Sequence, residues 1–125
     1  VTLGEQTLQA LANHLSQVEG VRAGIVVNRD GRPVANVVTG EDEDLLGALT
    51  GAIFATVNRA MQRTGLGELD DVVISATGGA IQAMAAGDLV LVVLADHQCN
   101  VGLIRLELRR AAATIRAGAN TADAC

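Results

Sequence analysis

The sequence predicts an α+β domain in which helices flank a five-stranded antiparallel sheet. Three observations carry that prediction. Apolar residues repeat at helical spacing in three separate stretches, near the start, in the middle and near the end. Five short segments rich in Val, Ile, Leu and Ala read as strands. The links among the last three strands are too short for crossover helices, so those strands form a meander. The element order is α-β-β-α-β-β-β-α, within one domain spanning the 125 residues.

The first helix begins where Thr2 and Glu5 fit a capping box. Leu8, Leu11, Leu15 and Val18 follow on one face, and Gly20 supplies a stop. Val21 to Asn28 alternates as the first strand. Asn28 to Pro33 is turn chemistry, with Asp30-Gly31 suited to positive φ. Val34 to Thr39 returns as the second strand, and Pro33, which has no N–H to donate, suits a sheet edge.

Glu41 to Thr64 forms the second helix, about 36 Å long at about 1.5 Å per residue. Acidic residues open it and Arg59 and Arg63 lie near its end, both favourable to the helix dipole. Gly65 ends it. Asp71 to Thr77 is the third strand, Gly78-Gly79 the hairpin turn, and Ala80 to Ala85 the fourth strand. After the Gly87-Asp88 turn, Leu89 to Ala95 is apolar without alternation, as in a central strand covered on both faces. The stretch from Asn100 onward can alternate as a strand. Ile104, Leu108, Ala111 and Ile115 share one helical face, however, so the spacing predicts a helix capped by Asn100, with a tail that frays after about Gly118.

Composition excludes several functions. Half the residues are hydrophobic, the net charge is −5, and Phe54 is the only aromatic residue. An acidic chain without stacking aromatics argues against nucleic acid as a partner. The apolar runs are too short to span a bilayer, no signal peptide is visible, and the expected compartment is the cytoplasm. Cys99 and Cys125 form neither a disulfide framework nor a zinc site.

No catalytic pattern emerges, and no cofactor or metal is expected. Gly65 to Asp70 does not link a strand to a helix as a dinucleotide fingerprint must, and Thr77 to Gly79 lacks the lysine of a P-loop. His97 and Cys99 have no second pair of metal ligands, and His14 reads as a surface or satisfied histidine. Ser75 has no nucleophile elbow around it. Glu41 to Asp44 lacks a calcium-loop pattern.

The second helix poses the sharper question. It carries Gly47 and Gly51 in its interior, each costing roughly 1 kcal/mol relative to Ala. At about 100° per residue, Leu45, Leu46, Leu49, Ile53, Val57 and Met61 share one broad side, which is expected to pack on the sheet. Gly47, Gly51, Ala48 and Ala55 fall on the flank beyond Phe54, with Asn58 and Gln62 nearby. Two readings stand: the glycines meet the domain's own sheet or its first helix, or they let two protomers approach closely. The second is preferred, and under it Gly51→Leu breaks a dimer without harming the monomer. The third strand fits that preference, because its alternating Val73 and Ser75 bring no Lys, Pro or inward charge that would block edge pairing.

Together, Val21 to Ala35, the long second helix with its small residues, and Leu89 to Ala112 (with Asn100, Gly102 and Leu103 opening the last helix) resemble the Roadblock/dynein light-chain family, in particular its bacterial small-GTPase regulators. The resemblance covers nearly the whole chain. It implies a sheet ordered 2-1-5-4-3 and a homodimer joined through third strands and second helices. It also implies a Ras-like GTPase or a motor-complex subunit as partner. The dimer and partner interface then comprises Gly47, Gly51, Phe54, Ala55, Asn58, Arg59, Gln62, Val73 and Ser75. Arg59 is the one candidate for an arginine donated to a GTPase, but the resemblance implies regulation without a catalytic residue of the chain's own. The competing readings are a small-molecule-sensing domain, with a ligand held between sheet and helix, and a structural adaptor without a GTPase.

Overall fold

The computed structural model describes residues 4–29, 32–38 and 43–124. In chain order the elements are α1 (Glu5–Ser16), β1 (Val21–Asn28), β2 (Pro33–Val38), α2 (Glu43–Arg63), β3 (Asp71–Ala76), β4 (Gly79–Ala86), β5 (Leu89–Asp96) and α3 (Val101–Ala124). The five strands form one antiparallel sheet in the order β2-β1-β5-β4-β3. Both the element order and the sheet order match the expectation.

β5 is the middle strand, as its unbroken apolar run predicts. Its register sets Val92 between Ile25 of β1 and Ala83 of β4. Leu91 and Val93 enter a core with α1 and α3, whereas Val90 and Val92 enter a second core with α2. α1 and α3 therefore cover one face of the sheet and α2 covers the other.

The face under α1 and α3 is closed. Ile104, Leu108, Ala111 and Ile115 all point into it from α3, at the spacing the sequence predicts. Asn100 caps that helix: its Oδ1 accepts the Leu103 N–H at 3.0 Å and its carbonyl accepts the Ile104 N–H at 3.0 Å. α3 runs to Ala124, beyond Gly118. α1 lies close on β1, where a Cβ at Gly24 would stand 2.9 Å from the Ala12 carbonyl oxygen, so the helix seats only against glycine.

Two local expectations change, and others, the Asp30-Gly31 turn included, lie outside the described residues. α1 starts at Glu5 with Gly4 in the N-cap position and no side-chain cap, and Thr2 lies outside the described residues. Residues 39–42 also lie outside them, so the ends of the second strand and second helix expected there are not described. The β3–β4 turn is Thr77-Gly78, with Ala76 opposite Gly79 in the ladder. Gly79 is needed for a different reason than the turn: a Cβ there would collide with the Ala95 carbonyl oxygen of β5.

At its other end α2 closes as predicted. Gly65 takes φ of 79°, and the Leu66 N–H donates to the Met61 carbonyl at 2.9 Å.

Candidate functional site

The second helix sits on the sheet through Phe54, only 2% exposed, with Gly47, Thr50 and Gly51 buried beside it. Helical spacing predicts Leu49 and Ile53 against the sheet. Instead they point outward, 53% and 37% exposed. Leu46, Val57 and Met61 of the same expected side do pack against the core that holds Phe54, so the helix rests on the Phe54 edge of the expected face. The physical reason is the pairing of a large side chain with small ones. Phe54 fills the gap to the sheet, and Gly47 and Gly51 carry no side chain to hold the backbone away from it.

Gly47 and Gly51 are buried beside Phe54 in the single chain, which accords with the reading that they meet the domain's own sheet. A second uncharged flank of α2 consists of Ala48, Leu49, Ala52, Ile53, Thr56 and Ala60, all exposed. A solvated helix face would carry more charge than the exposed Arg59 and Arg63 beside it.

The remaining expected interface residues divide into three environments. Arg59 and Gln62 are exposed on α2, Ala55 and Asn58 are half-buried beside Phe54, and Val73 and Ser75 are exposed on β3. β3 pairs with β4 alone and ends the sheet. Four of its six residues, Val73 to Ala76, are exposed. The strand is thus an open apolar edge among the described residues.

Beside that edge the α2 face of the sheet is only partly covered. The cross-strand rows Val27–Val90–Ala85 and Ile25–Val92–Ala83 lie in the core with Phe54. The next row, Ile74–Ile81–Leu94, stays part-exposed. It forms a shallow apolar basin of about 280 Å³ bounded by Ala76, Ala80 and Arg22. Sequence reasoning missed this basin. Its signal was the alternation Val72-Ile74-Ala76, but only strand order shows that this row runs out to the sheet's edge, part-exposed.

A second depression of about 230 Å³ opens between α2 and the sheet. Its floor is Gly51, Phe54, Ala55 and Val90, and its rim is Arg29, Asn58 and Arg59. Five of these residues belong to the interface expected from sequence. The Arg29 guanidinium lies over the Phe54 ring, 5.8 Å from its centre, and its Nη2 donates to the Gly87 carbonyl at 2.8 Å. Asn58 accepts the Leu69 N–H through Oδ1 at 2.7 Å, tying α2 to the segment before β3.

Among the described residues the reactive side chains do not converge. Among the described residues no three His, Cys, Asp or Glu side chains group as a metal site would require. His14 Nε2 lies 2.9 Å from Glu107 Oε2 and joins α1 to α3, while His97 is exposed in a turn. Cys99 is a free, half-buried thiol. No described helix is long and apolar enough to cross a membrane.

An antiparallel sheet ordered β2-β1-β5-β4-β3 with helices on both faces is the α+β arrangement that the sequence predicts. The chain belongs to the Roadblock/LC7 domain family, whose profile matches residues 7–95. An uncharacterised protein of Methanocaldococcus jannaschii is 36% identical over 104 residues, covering 82% of this chain and 91% of its own length. That relative is archaeal, whereas the resemblance read from the sequence pointed to bacterial regulators. In three dimensions the chain is similar to MglB of Myxococcus xanthus, with a TM-score of 0.87, 18% identity, and 97% and 95% of the two chains covered. It is similar also to a structure described as MglB with tetrameric arrangement, with a TM-score of 0.80, 19% identity, and 93% and 91% covered. At those identities the likeness to the solved structures is one of fold.

Proposed function

We propose that the chain is a non-enzymatic, homodimeric regulatory module that binds a Ras-like small GTPase in the cytoplasm and modulates its GTP hydrolysis. The observation that carries this reading is the unfinished half of the molecule on the α2 side. An open apolar edge at β3 adjoins the basin over Ile74, Ile81 and Leu94. α2 meanwhile presents Leu49 and Ile53 outward. Two copies related by a two-fold axis would pair their β3 edges, with Val73 and Ser75 in the seam, and set the outward residues of each α2 over the partner's basin. Burying one large aliphatic side chain in such a contact contributes about 1.5–3 kcal/mol.

The likeness to MglB folds, one of them in a tetrameric arrangement, supports assembly. The family resemblance supports a GTPase as the partner. Binding would shift the GTPase between switch conformations only by its difference in affinity for them. Arg59 and Gln62, exposed on α2, are the polar groups placed to meet it.

The test is capture from the organism's own lysate with the purified protein, in the presence of a GTP analogue or GDP. Nucleotide-dependent recovery of a small GTPase is expected, together with a dimer in sedimentation velocity. A monomer at all concentrations, or repeated recovery of non-GTPase partners only, would overturn the reading.

A further inference from the structure

The cavity between α2 and the sheet has the features of a binding site for a small charged molecule, a role distinct from the partner surface proposed above although Arg59 belongs to both. We propose that it binds a small organic anion, a carboxylate or phosphate carried on a compact apolar body. Arg29 and Arg59 hold the charge, and Phe54, Ala55 and Val90 hold the body.

Charge is the first argument. The chain carries a net charge of −5, and three of its arginines are matched to carboxylates. Arg22 lies 3.8 Å from Asp96, Arg105 lies 3.0 Å from Asp71, and Arg110 lies 3.1 Å from Glu107. The cavity rim brings two further guanidinium groups to one opening, with no carboxylate among its lining residues. Arg29 spends one N–H on the Gly87 carbonyl, which leaves most of its five donors available. Asn58 uses its oxygen on the Leu69 N–H, so its amide NH₂ is the group left to donate. All three polar side chains at the rim thus offer donors, the complement of an oxyanion.

Shape is the second argument. An apolar cavity of about 150 Å³ admits benzene in another protein. The volume of about 230 Å³ here leaves space for a ring of that size with an anionic group attached. Gly51 lines the cavity and adds no side chain to it. Arg29 is held at the mouth by Phe54 beneath it and by the Gly87 carbonyl, so half of the anion clamp is already in position.

The cavity lies under the helix whose outer face is offered as an interface. An occupant touching Phe54, Ala55 and Arg59 would fix the seating of α2 on the sheet. That coupling rests on the function proposed above, whereas the binding itself does not.

The experiment titrates the isotope-labelled full chain with benzoate and with phenyl phosphate, following backbone amides by NMR. Benzyl alcohol serves as the uncharged body and inorganic phosphate as the bodiless charge. Saturable shifts are expected at Gly51, Ala55, Asn58 and Val90, with affinity at least about tenfold weaker for benzyl alcohol and for inorganic phosphate. Arg59→Gln, which disturbs no ion pair among the described residues, is expected to lose a similar factor with an unchanged melting temperature. Ala55→Leu keeps both guanidiniums and fills the space, and is expected to abolish the shifts. The proposal is overturned if neither aromatic anion produces saturable shifts at those amides. It is equally overturned if benzyl alcohol binds as well as benzoate, or if Arg59→Gln binds both anions unchanged. None of these outcomes bears on GTPase capture, so the two readings fail separately.

Discussion

The two faces of the sheet are built from the same kind of residue and finished differently. Under α1 and α3, Val26, Leu91, Val93 and Met84 are sealed by Leu8, Leu15, Ile104 and Leu108. Under α2, Ile25, Val27, Val90 and Val92 are just as buried, but one helix does not reach the row through Ile74. The first face is a completed core whose residues serve the stability of the single chain. The second leaves apolar surface at its β3 side and on the outside of its own helix, and that surface has value only if something covers it.

The largest expected effect lies in the closed face. Leu108→Ala should cost about 2–5 kcal/mol in urea denaturation, while leaving any association between folded copies unchanged. Ile53→Asp in the open face should do the reverse, weakening self-association by thirtyfold or more, about 2 kcal/mol, with no loss in the denaturation of a dilute monomer. If Ile53→Asp instead destabilises the monomer as much as Leu108→Ala does, the two faces do not differ as described. Val73→Lys should have a milder effect of the same kind, lowering dimer affinity by about fivefold, or about 1 kcal/mol, through a charge on the β3 edge. On the closed side, Asn100→Ala should remove the cap of α3 and lower thermal stability by about 1 kcal/mol. The smallest effect belongs to Arg105→Ala. Its ion pair with Asp71 is partly solvated, and the loss should stay below about 1 kcal/mol and shrink further in high salt.

The closed face was legible in the sequence almost residue by residue. Its helices repeat their apolar residues at three and four positions, and β5 announces its central place by lacking any polar alternation. The open face was legible only in outline. Counting apolar residues on α2 favours the side of Leu49 and Ile53, because spacing says nothing of how closely a backbone approaches. Phe54 and the two glycines decide the seating through depth, a property of the pair of surfaces in contact. The cavity beneath them was beyond sequence reasoning for a similar reason. Arg29 and Arg59 are far apart in the chain and meet only once the β1–β2 end of the sheet and α2 are both in place. The hairpin at Gly78 and Gly79 shows a lesser form of the same difficulty. Gly-Gly reads as a turn, yet the second glycine answers to Ala95 on a strand that sequence-local reasoning does not consult.

The place of β5 carries a consequence for how the molecule comes into being. It is the last of the five strands in chain order and the middle one in space, so β1–β2 and β3–β4 are separate hairpins until it arrives. A lone hairpin has little persistence in water, and joining β1 to β5 closes a loop that contains α2 and the three other strands. Assembly should therefore wait on Leu89–Asp96 and then proceed in one step, as an arch stands only when its keystone is dropped in. A nascent chain halted before that segment would display two mateless ribbons, and it is then, and not in the finished protein, that this sequence is most exposed to wrong company.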